Sequence, residues 1–217
     1  TTPNGVKVDL LTTEEEVPTA QVFKTIVDPF VGRISYVKVL SGTLNSDTTM
    51  VNANNGKPEK IGTIFTIKGK HQTAAGKLFT GDIGAITKLQ ETHTNDTLCA
   101  KGKLLMADPI VFEEPLYGQA VNAKTKNDED KLSGSLNRIQ EEDPTFRVVV
   151  NPETRETVIY GIGDQHLEVI VNKLQTKFKT GVTLQNPKIT YRETITKSAV
   201  GEGRHKKQSG GHGQFGH

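Results

Sequence analysis

Near Asp108 the texture of this chain changes, and the change divides what it can fold into. Before it, from Ala20 to Ala107, no stretch holds a helical period of apolar residues. Runs rich in Val, Ile, Thr, Phe and Tyr, at 21–27, 33–40, 61–67 and 83–89, alternate with turn strings such as Asp28-Pro29, Ser41-Gly42, Thr80-Gly81-Asp82 and Asn95-Asp96. Many short strands with frequent turns predict a closed β-barrel or sandwich over 20–108. Residues 1–19, with the acidic run Glu14-Glu15-Glu16, read as a linker or tail.

After Asp108 the period switches. Residues 109–187 predict a strand over 116–123 and a helix over 128–142 with Leu132, Leu136 and Ile139 on one face. Asn127 is the expected N-cap, and Asp143-Pro144 stops the helix. Strands follow at 145–150 and 155–161. A second helix, capped by Asp164, runs to about Thr180 with Leu167, Ile170, Val171, Leu174 and Phe178 inward and Gly181 just past its end. A strand over 182–185 completes β-α-β-β-α-β, the ferredoxin-like plan. Residues 188–217 begin something further: an expected strand over 188–196, then a glycine-rich arm too small to build a core. The fold class is thus multi-domain β and α+β, a barrel, a ferredoxin-like domain and a truncated extra strand or arm.

Charge is unevenly spread. The chain carries 27 basic and 25 acidic residues, yet 188–217 holds six of the former and two of the latter. A small basic arm favours polyanions, with a solvated loop as the plain alternative. Cys99 is the single cysteine, which excludes an internal disulfide and any multi-cysteine zinc site, and fits a reducing, cytoplasmic setting. No apolar run reaches the length of a membrane helix.

The catalytic motifs fail one by one. The string from Gly62 to Gly69-Lys70 has the wrong spacing for a phosphate loop and lies among strands. Gly161-Ile162-Gly163-Asp164-Gln165-His166 puts a histidine where a dinucleotide fingerprint needs glycine, so it reads as a tight strand-to-helix turn. His166-Leu167-Glu168 lacks the cysteines of a zinc deaminase. Ser209 has no positioned base, and His205, His212 and His217 lie on spacing that preorganises no metal site. No catalytic, cofactor-binding or metal residue is assigned. What remains is the arm: Arg204, Lys206 and Lys207, then a loop whose Gly210, Gly211, Gly213 and Gly216 let a phosphate backbone come close.

Several strings, in order, resemble one family. Asp28-Pro29-Phe30-Val31-Gly32-Arg33, Val39-Leu40-Ser41-Gly42-Thr43-Leu44 and Gly81-Asp82-Ile83-Gly84-Ala85 are similar to the second domain of bacterial elongation factor G. Glu142-Asp143-Pro144-Thr145-Phe146-Arg147-Val148 and Gly161–Glu168 resemble its third domain. Tyr191-Arg192-Glu193-Thr194-Ile195 and the string from Lys207 to Gly216 resemble the opening of its fourth. The resemblance implies a middle piece of a translational GTPase whose GTP- and magnesium-binding domain precedes Thr1, so the chain itself is no enzyme. It implies a ribosomal partner through small-subunit RNA and protein, a cytoplasmic monomer, and no membrane. By resemblance, Gln208, Ser209, Gly210, Gly211, His212, Gly213 and Gln214 face tRNA and mRNA, and Asp164, His166 and Ile170 face the GTPase domain. The departures are Asp164-Gln165 for the family's Glu-Leu and His212 for its arginine. They leave three sub-types open: a translocase, a paralogue, and a ribosomal protection protein. A GTPase-free RNA-binding adaptor is the further alternative.

Overall fold

The computed structural model describes all residues except 1, 3, 4, 10, 11, 29, 30, 70, 208–210, 212, 213 and 217. Among the described residues the first half holds ten strands: β1 Thr19–Asp28, β2 Gly32–Ser41, β3 Leu44–Asn45, β4 Thr49–Asn52, β5 Pro58–Lys60, β6 Ile64–Lys68, β7 His71–Ala75, β8 Lys77–Leu78, β9 Ile83–Thr87 and β10 Thr97–Cys99. Eight form one antiparallel sheet in the order β5-β4-β10-β1-β2-β9-β6-β7, while β3 pairs β8. Alternating residues of β1 and β2 point inward, so Ala20, Val22, Val37 and Val39 meet Met50, Ile64, Ile86 and Leu98 in one core. Phe23 is the extra residue of a bulge in β1 opposite β2, between the pairs Val22↔Val37 and Lys24↔Tyr36. The barrel expected over these residues is therefore present.

The second half holds β11 Tyr117–Ala123, α1 Lys126–Glu142, β12 Arg147–Val150, β13 Thr157–Gly161, α2 Asp164–Thr176 and β14 Val182–Gln185. The sheet order β12-β13-β11-β14 is that of the ferredoxin-like plan. Leu132, Leu136 and Ile139 of α1 recur at helical spacing and pack with Leu167, Ile170 and Leu174 of α2 on Val121, Ile159 and Phe146.

Caps and ends differ from expectation in instructive ways. The N-cap of α1 is Thr125, not Asn127: its hydroxyl accepts the Asp128 N–H and donates to Asp128 Oδ2, while Asp128 Oδ1 accepts the Gly181 N–H at 2.8 Å. Gly163 caps α2, and Asp164 is its first helical residue. α2 ends at Thr176, and Lys179, not Gly181, takes the left-handed conformation with φ of 53°. Gly181 is small for another reason, since a Cβ there would stand 3.3 Å from Asp128 Oδ2. Residues 188–196 form no strand. Ile189, Tyr191 and Ile195 are exposed there, and an extended segment without a partner edge gains no ladder. A hairpin of β15 His205–Lys207 and β16 Gln214–Gly216 follows instead.

Candidate functional site

The two halves meet at the C-terminal end of α1. Glu141 and Glu142 sit there, at the negative end of the helix dipole, with no basic residue in the last turn. Placing carboxylates at that end is unfavourable in isolation, and their partners come from elsewhere. Glu141 pairs with the Arg33 guanidinium at 2.8 Å. The Glu142 side chain, 8% exposed, accepts the Val27 N–H of β1 at 2.7 Å and pairs with the Lys177 ammonium just past α2. Its carboxylate thus ties a barrel strand and both helices of the second half to one point.

Arg33 is itself fixed. It donates to the carbonyls of Gln90 and Thr92 at 3.1 and 3.3 Å. The same loop caps Glu59, a carboxylate only 3% exposed, through the Gln90 and Glu91 N–H groups and the Thr92 hydroxyl. A connected set of charged hydrogen bonds therefore runs from inside the barrel to the end of α1. The connection between the halves lies along the barrel wall, held by Gln21 on Asp108 O and by paired bonds between Asn95 and Ile110.

The next residue, Asp143, organises the second half. Its Oδ1 accepts the Thr145 N–H and hydroxyl, and its Oδ2 lies 3.0 Å from His166 Nε2. The Ile162 N–H donates to His166 Nδ1 at 3.1 Å, so the ring carries its proton on Nε2 and gives it to Asp143. A Cβ on Gly161 would meet that ring nitrogen at 2.8 Å, which explains the small residue in the turn. Burial works to raise the Asp143 carboxyl, but the Thr145 hydroxyl and N–H, with His166, hold it below its ordinary value of 3.8. A depressed carboxylate stabilises the fold above its unfolded pKa, and that contribution disappears as pH falls through the folded value. Asp143→Asn is therefore expected to cost about 1–2 kcal/mol at neutral pH. The difference from wild type should shrink below about pH 4, read by chemical denaturation across pH. A difference that does not vary with pH would rule out this carboxylate as the source.

The residues expected at a domain interface are placed unequally. Asp164 is exposed, with its Oδ1 on the Gln165 N–H. His166 is mostly buried and spends both ring nitrogens within its own domain. Ile170 has zero exposure in the core of the second half, so its side chain reaches no outer surface, and the expectation fails for it. On the arm, Arg204 lies 5.7 Å from the exposed Phe215 ring, and Lys206 pairs with Phe215 across the hairpin. Lys207 and Gln214 pair across β15 and β16, and Gly211 has φ of 86°. Gln208, Ser209, Gly210, His212, Gly213 and His217 lie outside the described residues. Among the described residues, no cluster of three metal-ligating side chains occurs and no helix is long and apolar enough to cross a membrane.

Sequence reasoning missed Arg33, Glu141 and Lys177 as a set. The available signal was two glutamates closing a helix before Asp-Pro.

Comparison with known proteins bears on both halves. A family model described as elongation factor G domain 2 matches 18–101, and one described as elongation factor G, domain III matches 112–186. The chain is 41% identical over 214 residues to an elongation factor G-like protein of Thermotoga maritima, covering 99% of this chain and 31% of that protein. A crystal structure of a protein from Thermus thermophilus superposes with a TM-score of 0.79 at 30% identity, covering 93% of this chain and 30% of the other. The chain thus spans less than a third of the length of these relatives.

Proposed function

Since this chain belongs to the elongation factor G family through its second and third domains, we propose that it is the ribosome-binding middle of a translational GTPase. The division is a linker at 1–19, a barrel at 20–108, a ferredoxin-like domain at 109–187 and the start of a fourth domain at 188–217. In the whole protein, a GTP- and magnesium-binding domain outside this chain hydrolyses GTP in the cytoplasm. The present domains pass that event towards tRNA and mRNA on the ribosome. The observation that carries this is the two family matches in family order.

The geometry supports a relay. The bonds from Glu59 through Thr92 and Arg33 to Glu141 connect the barrel to the end of α1. Ile162, in the turn before α2, and Val169 on α2 are exposed apolar side chains available to the GTPase domain, while His166 fixes where that helix starts. Residues 208–214, with Arg204, Lys206 and Lys207, supply the RNA-facing arm. The relative's designation as elongation factor G-like favours a paralogue of the translocase.

Co-sedimentation of the chain with ribosomes tests this. Binding is expected at low salt, and joint replacement of Arg204, Lys206 and Lys207 by alanine should weaken it severalfold and flatten its salt dependence. Binding that persists undiminished above ~0.5 M salt, or none at low salt, would count against the reading.

A further inference from the structure

β11 and β13 pair only from Tyr117↔Gly161 to Ala120↔Val158, whereas β11 stays paired to β14 as far as Ala123. The sheet therefore parts beyond Val158, and one side of α1 faces the gap. A pocket of about 810 Å³ lies there, lined in part by Asn122, Leu136, Gln140, Glu156, Gln185 and Lys188.

Glu156 is the unusual member. Its side chain is 9% exposed. Its Oε2 accepts the Lys188 N–H at 2.9 Å. Its Oε1 is buried with no hydrogen-bond partner. Native structures rarely leave a buried carboxylate oxygen without a donor. The Lys188 ammonium stands 3.7 Å away, outside hydrogen-bonding distance, on a side chain 70% exposed. It approaches the oxygen without satisfying it.

We propose that this pocket binds a small molecule carrying a primary ammonium, which donates to Glu156 Oε1 in place of Lys188. The amide side chains of Asn122 and Gln185 supply further acceptors, while Gln140 Oε1 already accepts the Val148 N–H at 3.2 Å. Glu129 sets a second carboxylate against the Arg155 guanidinium on the lining, and Leu136 gives an apolar wall for an alkyl chain. No covalent step is involved. The inference uses only the fold of the second half and does not depend on ribosome binding.

The probe is putrescine, titrated into the whole chain and followed by amide chemical shifts, with butanediol as the uncharged control. Saturable binding of the diamine is expected, with shifts at Asn122, Gln140 and Gln185, and none with the diol. Glu156→Gln keeps an acceptor for the Lys188 N–H and should weaken binding about tenfold. Lys188→Met removes the competing ammonium from an exposed position and should tighten it about threefold or more. Equal responses to diamine and diol, an affinity unchanged in Glu156→Gln, or no saturable binding in both wild type and Lys188→Met would each overturn the proposal.

Discussion

Glu142→Ala is expected to loosen the junction of the two halves and to cost about 3 kcal/mol. The carboxylate is 8% exposed, and its removal leaves the Val27 N–H and the Lys177 ammonium without their acceptor. Deleting one partner of a buried pair costs more than the pair is worth, because the other stays desolvated. Lys177, a quarter exposed, can turn to water, which keeps the effect at the low end of the range. Glu142→Gln should cost less, since its amide oxygen still accepts from Val27. Small-angle scattering and calorimetry distinguish a junction effect from a helix effect. A larger radius of gyration with two resolved unfolding transitions is expected, and one unchanged transition at the wild-type temperature would show that Glu142 holds nothing across the junction.

Why that junction escapes sequence reading is a matter of range. Hydrophobic period reports on a residue's own element, so Leu132, Leu136 and Ile139, or Leu167, Ile170 and Leu174, fall on the inner faces expected of them. The alternation in β1 and β2 reports the barrel wall in the same way. Arg33 and Glu141 are 108 positions apart, and no local pattern links them. One family string contains Arg33 and another opens at Glu142, one residue past Glu141, and neither says what these side chains touch. Ile170 shows the opposite error: the apolar face of α2 placed it in the core, while the resemblance placed it at an interface, and zero exposure decides for the core. At 188–196 β-forming residues gave a strand signal with no edge to complete it, since strand formation is a property of pairs. Likewise the caps fell to Thr125 and Gly163, one or two residues from expectation, because a cap is chosen by where its N–H groups point.

Gly42→Ala is expected to be the most damaging single-methyl change in the barrel, at about 2–5 kcal/mol. Two penalties coincide. The residue has φ of 69°, which alanine adopts only with strain. A Cβ there would also lie 2.4 Å from Glu16 O, 2.6 Å from Pro18 N and 2.7 Å from Pro18 Cα, all backbone atoms that cannot rotate away. The segment before β1 must then leave the end of β2. That departure breaks Gly42 N–H to Thr13 O at 2.9 Å, Ser41 Oγ to Val17 O at 2.8 Å and Thr80 Oγ1 to Thr13 O at 3.2 Å. Hydrogen exchange at Gly42 and around β1 separates two outcomes. Fast local exchange with a modest fall in melting temperature means the segment peels away while the barrel survives. Protection lost throughout the barrel means that the seat is part of its cooperative core. Wild-type protection at Gly42 together with an unchanged melting temperature would show that the two backbones are not in contact.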